Sequence, residues 1–255
     1  MRARPQMFAT IVAGLLLAVE APEAQAQDGF LFRSPQVQMT VRAGPVLPRA
    51  QGDIFGFMTS ELTLERSDFR APSVAGELAF IGLPRLDFVL GLGWAQSESS
   101  SEFAGWEGAE GDPIAQTTRL RTVPLTLTAR VYPLARGRSV SRLAWVPTRT
   151  MPYAGAGAGL TWYDLRQEGE FLDTQQCLED PETGCSIFYQ EFGASGQAPA
   201  VHGVVGIDHW FTPRVGLNIE GRYTHGSAPG KDSFRTYDSL DLSGVQATLG
   251  LTFRW

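Results

Sequence analysis

The chain has 255 residues, 21 lysines plus arginines against 27 acidic residues, a net charge of −6 and 43% hydrophobic residues. That acidic balance argues against a nucleic-acid partner, which selects a basic surface, and the two cysteines have no nearby histidine to complete a zinc site. The mean hydropathy of −0.09 is that of a soluble protein, but a membrane barrel hides its signal the same way, because only every second strand residue meets lipid.

The N-terminus carries Arg2 and Arg4, an apolar run over 7–19, and Ala24-Gln25-Ala26 before Gln27. This is the pattern of a cleaved secretory signal peptide, residues 1–26, leaving one mature domain over 27–255. No later stretch reaches the roughly 20 apolar residues of a transmembrane helix. Strict alternation, the signature of strands, begins near 35–45 with Val37, Met39, Val41 and Ala43. It recurs at 72–82 (Val74, Leu78, Phe80), 86–96 (Leu86, Phe88, Leu90, Leu92, Trp94) and 120–133 (Val123, Leu125, Leu127, Ala129, Val131). Further segments follow at 152–166 (Ala154, Ala156, Ala158, Leu160, Trp162), 199–211 (Val201, Val205, Ile207), 215–224 (Val215, Leu217, Ile219, Tyr223) and 244–255 (Val245, Leu249, Leu251, Phe253, Trp255). The expected fold is all-β, an eight-stranded antiparallel transmembrane barrel with an up-and-down meander, just wide enough to be filled by its own side chains.

The connections alternate as such a barrel requires. Leu83-Pro84-Arg85 and Thr212-Pro213-Arg214 are tight periplasmic turns, whereas 45–70, 97–118, 167–198 and 225–238 are long, polar outer loops. The segment 134–151 breaks the rule, being long on the short-turn side. Its Ser139–Trp145 stretch reads as a short interfacial helix or a tethered basic loop. Cys177 and Cys185 would close an outer loop with a disulfide in the oxidising compartment that a signal peptide implies.

Alternation alone does not say which face is outside, and a soluble lipocalin-like carrier would have the apolar face inside. Arg42, Glu77, Asp87, Arg130, Asp208, Glu220, Arg222 and Arg254 share the polar parity of their strands and are interleaved with glycines. Mixed charge with glycine suits an ion-paired interior, where a buried charge survives only if paired. Trp94, Trp162, Tyr223, Phe253 and Trp255 lie near the ends of the apolar bands, as membrane-interface girdles do.

The final strand Leu249–Trp255, the segment Pro152–Leu160 and the turn Phe211-Thr212-Pro213-Arg214 together resemble the OmpA/OmpX-type family of small outer-membrane barrels. The resemblance implies a bacterial outer-membrane location and an assembly signal at Phe253 and Trp255, read by the barrel-assembly machinery. It also implies outer-membrane lipid and lipopolysaccharide as partners; the expected state is a monomer. Activity is not implied by architecture. His225 and Ser227, at the outer end of the seventh strand, resemble the His-x-Ser element of lipid A deacylases, where histidine is the general base for a serine nucleophile. Here Ala228 and Pro229 follow the serine, and the acidic partner would have to be Asp238 or Asp241. His202 and His209 fall on opposite parities and suit structural roles. No cofactor or metal is expected. The leading expectation is a non-enzymatic barrel with a filled polar interior, displaying outer loops for surface interaction or envelope integrity; a deacylase and a small channel are the alternatives.

Overall fold

The computed structural model describes residues 29–107, 112–172, 187–237 and 239–255. The expected signal peptide and the Cys177–Cys185 pair lie outside the described residues. In chain order the elements are β1 (Val37–Pro48), helix α1 (Asp53–Glu61), β2 (Ala71–Leu83), β3 (Leu86–Glu107), β4 (Pro113–Val131), β5 (Gly137–Ser141), β6 (Ala144–Pro147), β7 (Thr150–Leu172), β8 (Ile187–Trp210), β9 (Val215–Pro229), β10 (Ser239–Asp241) and β11 (Gly244–Arg254).

Eight of these strands form one antiparallel ring in the order β11-β1-β2-β3-β4-β7-β8-β9, and β9 pairs back onto β11. Closure brings the two ends of the chain together, with Val41 opposite Leu251 and Gln38 opposite Arg254. The Trp255 amide donates to the Val37 carbonyl at 3.1 Å, so the last residue is tied into the seam. A closed ring leaves no unpaired edge, the condition for strands to stand in hydrocarbon.

The two faces are inverted relative to a soluble protein. Leu127, Val205 and Leu249 are 58%, 63% and 56% exposed, while Arg130, Asp208 and Glu220 are at most 2% exposed. A soluble carrier would reverse this, because exposed apolar bands cost free energy in water and are stable in lipid.

Four of the eight strands run well past the apolar belt, which corrects the expected long loops. Residues 97–107 and 113–118 continue β3 and β4, and 167–172 and 187–198 continue β7 and β8. Here the pattern flips phase. On β7 the outward residues Leu160 and Trp162 give way to outward Asp164 and Arg166, while Tyr163 and Leu165 become the buried apolar residues. The outer surface of this extension is a charged ladder: Arg119–Glu98 at 3.0 Å, Arg121–Asp164 at 3.1 Å and Arg166–Glu191 at 3.2 Å.

The flip in phase creates a second, apolar core inside the loop end, and the loop after β1 fills it. Gly52 caps α1 with φ 103°, a left-handed value that favours glycine. Ile54, Phe55 and Met58 of α1 are buried with Leu120, Leu165, Ala198, Phe234 and Leu240. At the opposite end, 134–151 is not helical: β5 and β6 form a two-stranded hairpin, so the expected interfacial helix gives way to strand pairing, with Arg138 opposite Val146 and Ser139 opposite Trp145.

Candidate functional site

The lumen between plug and hairpin holds the charged residues singled out in the sequence, and strand parity places them there. Glu77 on β2, Arg42 on β1, Arg130 on β4, Glu220 and Arg222 on β9 meet near the middle of the barrel. Arg42 bridges Glu77 and, at 2.7 Å, Glu220. Arg130 also spans both carboxylates, reaching Glu220 at 2.6 Å. Arg222 donates to Glu77 at 2.7 Å and to Glu220 at 3.1 Å. Tyr153 adds its hydroxyl to Glu220 at 2.8 Å and lies under the Arg130 guanidinium, 4.8 Å from ring centre to Cζ. Three cations thus share two anions in a cross-braced layer, the arrangement in which buried charge is tolerable.

A second layer lies toward the hairpin, and its pairing differs from what the strands suggest. Asp87 pairs with Arg136, which comes from the loop before β5 rather than from a barrel strand. Among the described residues Arg254 pairs with no carboxylate. Its guanidinium stacks 3.6 Å from the Trp210 ring centre and 5.3 Å from that of Trp145, and its Nε donates to the Pro213 carbonyl at 2.8 Å. Asp208 accepts from Asn218 at 2.7 Å and Tyr132 at 3.1 Å. The hairpin is thereby locked across the turn end, with Trp145 bonded through its backbone to Leu31. Arg136 and Trp145 escaped the sequence reading because a loop carries no parity, and the signal available was their presence in a loop too long for its side; Tyr132, on the same parity as Arg130 at the end of the 120–133 segment, was passed over although its parity points it inward.

Between the upper layer and the plug is a chamber of about 110 Å³, bordered below by Arg42, Glu77 and Arg222 and above by Phe69 and Leu242. His202 is buried and shares a hydrogen bond with Thr128 at 2.8 Å; His209 lies on the outside, 2.9 Å from the Thr150 hydroxyl.

His225 and Ser227 both face outward, as their parity requires. Among the described residues, His225 Nδ1 shares a hydrogen bond with the Ser243 hydroxyl at 3.2 Å rather than with Ser227. Asp241, opposite Ser227 in the β9–β10 pairing, spends its oxygens on the backbone amides of Gln51 and Ser243, at 3.2 and 2.9 Å. Of the two carboxylates that could orient a general base, Asp241 is committed to holding the loop, and Asp238 lies outside the described residues. Phe253 and Trp255 stand on the outer face at the end of the chain.

No family model and no curated protein matches the sequence. Solved structures do align along nearly all of it. Neisserial surface protein A is 13% identical over 87% of this chain and 98% of its own, with a TM-score of 0.45. The outer membrane protein OprG from Pseudomonas aeruginosa is 12% identical over 88% and 99%, with a TM-score of 0.46. Ail, the attachment invasion locus protein of Yersinia pestis, is 11% identical over 88% and 100%, with a TM-score of 0.41. Closed by β1 and β11, apolar outside and ion-paired inside, this chain is a small eight-stranded transmembrane β-barrel.

Proposed function

We infer that the protein is a non-enzymatic barrel of the bacterial outer membrane whose lumen is sealed and whose activity resides in the surface it presents at the loop end. The observation that carries this is the succession of three stoppers along one axis: the α1 plug, the cross-braced charge layer, and the β5–β6 hairpin. A barrel so filled offers no continuous water path, so specificity belongs to the strand extensions and the loops joining them. Arg119, Arg121 and Arg166, on the outer surface of the extensions beyond Trp162 and there paired with Glu98, Asp164 and Glu191, would be the groups to meet lipopolysaccharide phosphates. Phe253 and Trp255 are the residues offered to the assembly machinery.

The test has two parts. Detergent-extracted outer membranes should contain a heat-modifiable band for the protein, and planar bilayers with the purified protein should show no stepwise conductance. Reproducible unitary openings would replace the sealed reading by the channel one. Recovery as a freely soluble periplasmic protein would remove the barrel assignment altogether.

A further inference from the structure

The buried charges of the lumen do not balance. Among the described residues, Arg42, Arg130, Arg136, Arg222 and Arg254 are buried together with Glu77, Asp87, Asp208 and Glu220, five cations against four anions. The layer nearer the hairpin is even, with Arg136 and Arg254 accompanied by Asp87 and Asp208. The surplus sits in the upper layer, where Arg42, Arg130 and Arg222 share Glu77 and Glu220. A guanidinium cannot shed its proton to relieve this, and an uncompensated buried charge costs more than its hydrogen bonds return.

The donors are also in excess. Glu77 receives Arg42 and Arg222 on Oε1 and Arg130 on Oε2, and Glu220 receives Arg42 and Arg222 on Oε1 and Arg130 on Oε2. Among the described residues, Arg42 Nε is buried without an acceptor, and Arg222 Nη1 reaches the Thr126 hydroxyl alone, at 3.5 Å. Both residues form the floor of the 110 Å³ chamber, whose walls include Ser73, Thr122 and Thr224. Asp241, partly buried, also borders the chamber and brings a negative charge to its rim, but its oxygens hold the Gln51 and Ser243 amides and, among the described residues, it makes no ion pair with Arg42 or Arg222. The space has room for a monatomic anion together with several waters.

We propose that the chamber binds one small inorganic anion of chloride size, held by Arg42 and Arg222 on the floor beneath the plug. The anion neutralises the surplus cation and makes the upper layer a site that is complete only when loaded.

Folded, full-length mature protein in detergent is measured by chloride-35 NMR line width and by thermal unfolding in sodium chloride against sodium gluconate at equal ionic strength. The folded protein broadens the chloride line, bromide reverses the broadening, heat unfolding abolishes it, and the melting temperature is higher in chloride than in the bulky gluconate. Arg222→Gln removes the surplus and loses both differences. Ala95→Leu, which fills the chamber from its wall without touching a charge, loses the broadening, while Arg138→Gln on the exposed hairpin keeps it. Should Arg222→Gln fail to give the heat-modifiable folded band, Ala95→Leu decides. Equal melting in the two salts, or broadening that persists in Ala95→Leu, overturns the proposal; the latter outcome means surface ions only, and unbroadened chloride means a chamber filled with water.

Discussion

Glu77 and Glu98 are both glutamates paired with arginine, and burial alone separates their weight. The Glu77 side chain is 2% exposed among three guanidiniums, whereas the Glu98 side chain is half exposed beside Arg119. Glu77→Gln leaves three buried cations to one carboxylate, and we expect a loss of about 3 kcal/mol or more in urea unfolding from detergent. Glu98→Gln should change the same measurement by less than about 1 kcal/mol. Gly157 makes a parallel case for shape. A Cβ there would collide with the Leu127 carbonyl oxygen and sit 2.7 Å from His202 Nε2. Gly157→Ala should therefore destabilise by about 1 to 3 kcal/mol, and His202→Ala in the same chain should recover only part of the loss, because the backbone clash with the neighbouring strand remains. The glycines of 155–159 were legible in the sequence as polar-parity positions; that they make room for a histidine and a carbonyl was not, since the contact spans two neighbouring strands.

At the scale of the element, the sequence revealed strands wherever lipid imposed a single apolar parity and failed where the strand left the membrane. Beyond Trp162 the alternation of β7 persists with its faces exchanged; the segment read at 152–166 takes in the first exchanged residues, Tyr163-Asp164-Leu165-Arg166, but 167–172 and 187–198, with no lipid-facing apolar parity, read as loop. The physical cause is the change of surroundings: water outside and an apolar plug inside, instead of lipid outside and charge inside. The plug was hidden for a related reason, since Ile54, Phe55 and Met58 lie on a helix whose partners, Leu120, Leu165 and Phe234, come from distant strands and loops. With no side-chain cap on Gly52, α1 is held by packing rather than by its ends. Phe55 is fully buried and stacks edge-on against Phe69 at 4.8 Å. Phe55→Ala should cost about 3 kcal/mol or more of local stability. Its readout is new tryptic cleavage at Arg49, Arg66 or Arg70, with the β-strand circular dichroism and the heat-modifiable band unchanged.

For the whole molecule, closure and sealing are separate achievements. Closure was foreseeable, because eight amphipathic segments with matched apolar bands leave no other way to satisfy backbone groups in lipid. Sealing depends on two parts contributed from outside the ring, α1 at one end and the hairpin at the other, together with a charge layer that the ring itself supplies from β1, β2, β4 and β9. Stoppers in series have a consequence that a single gate lacks, since current is limited by whichever remains. Replacing 50–66 by a short Gly/Ser linker should leave planar-bilayer conductance at the baseline, because the layer of Arg42, Glu77, Arg130, Glu220 and Arg222 still fills the cross-section. Shortening the hairpin 137–147 should do likewise. Only when both ends are removed and the layer is thinned, for example by Arg130→Ser with Glu220→Ser, does a water path run the length of the lumen, and unitary steps are then expected. If plug removal alone produces steps, the charge layer is permeable and the sealing assigned to it belongs to the plug.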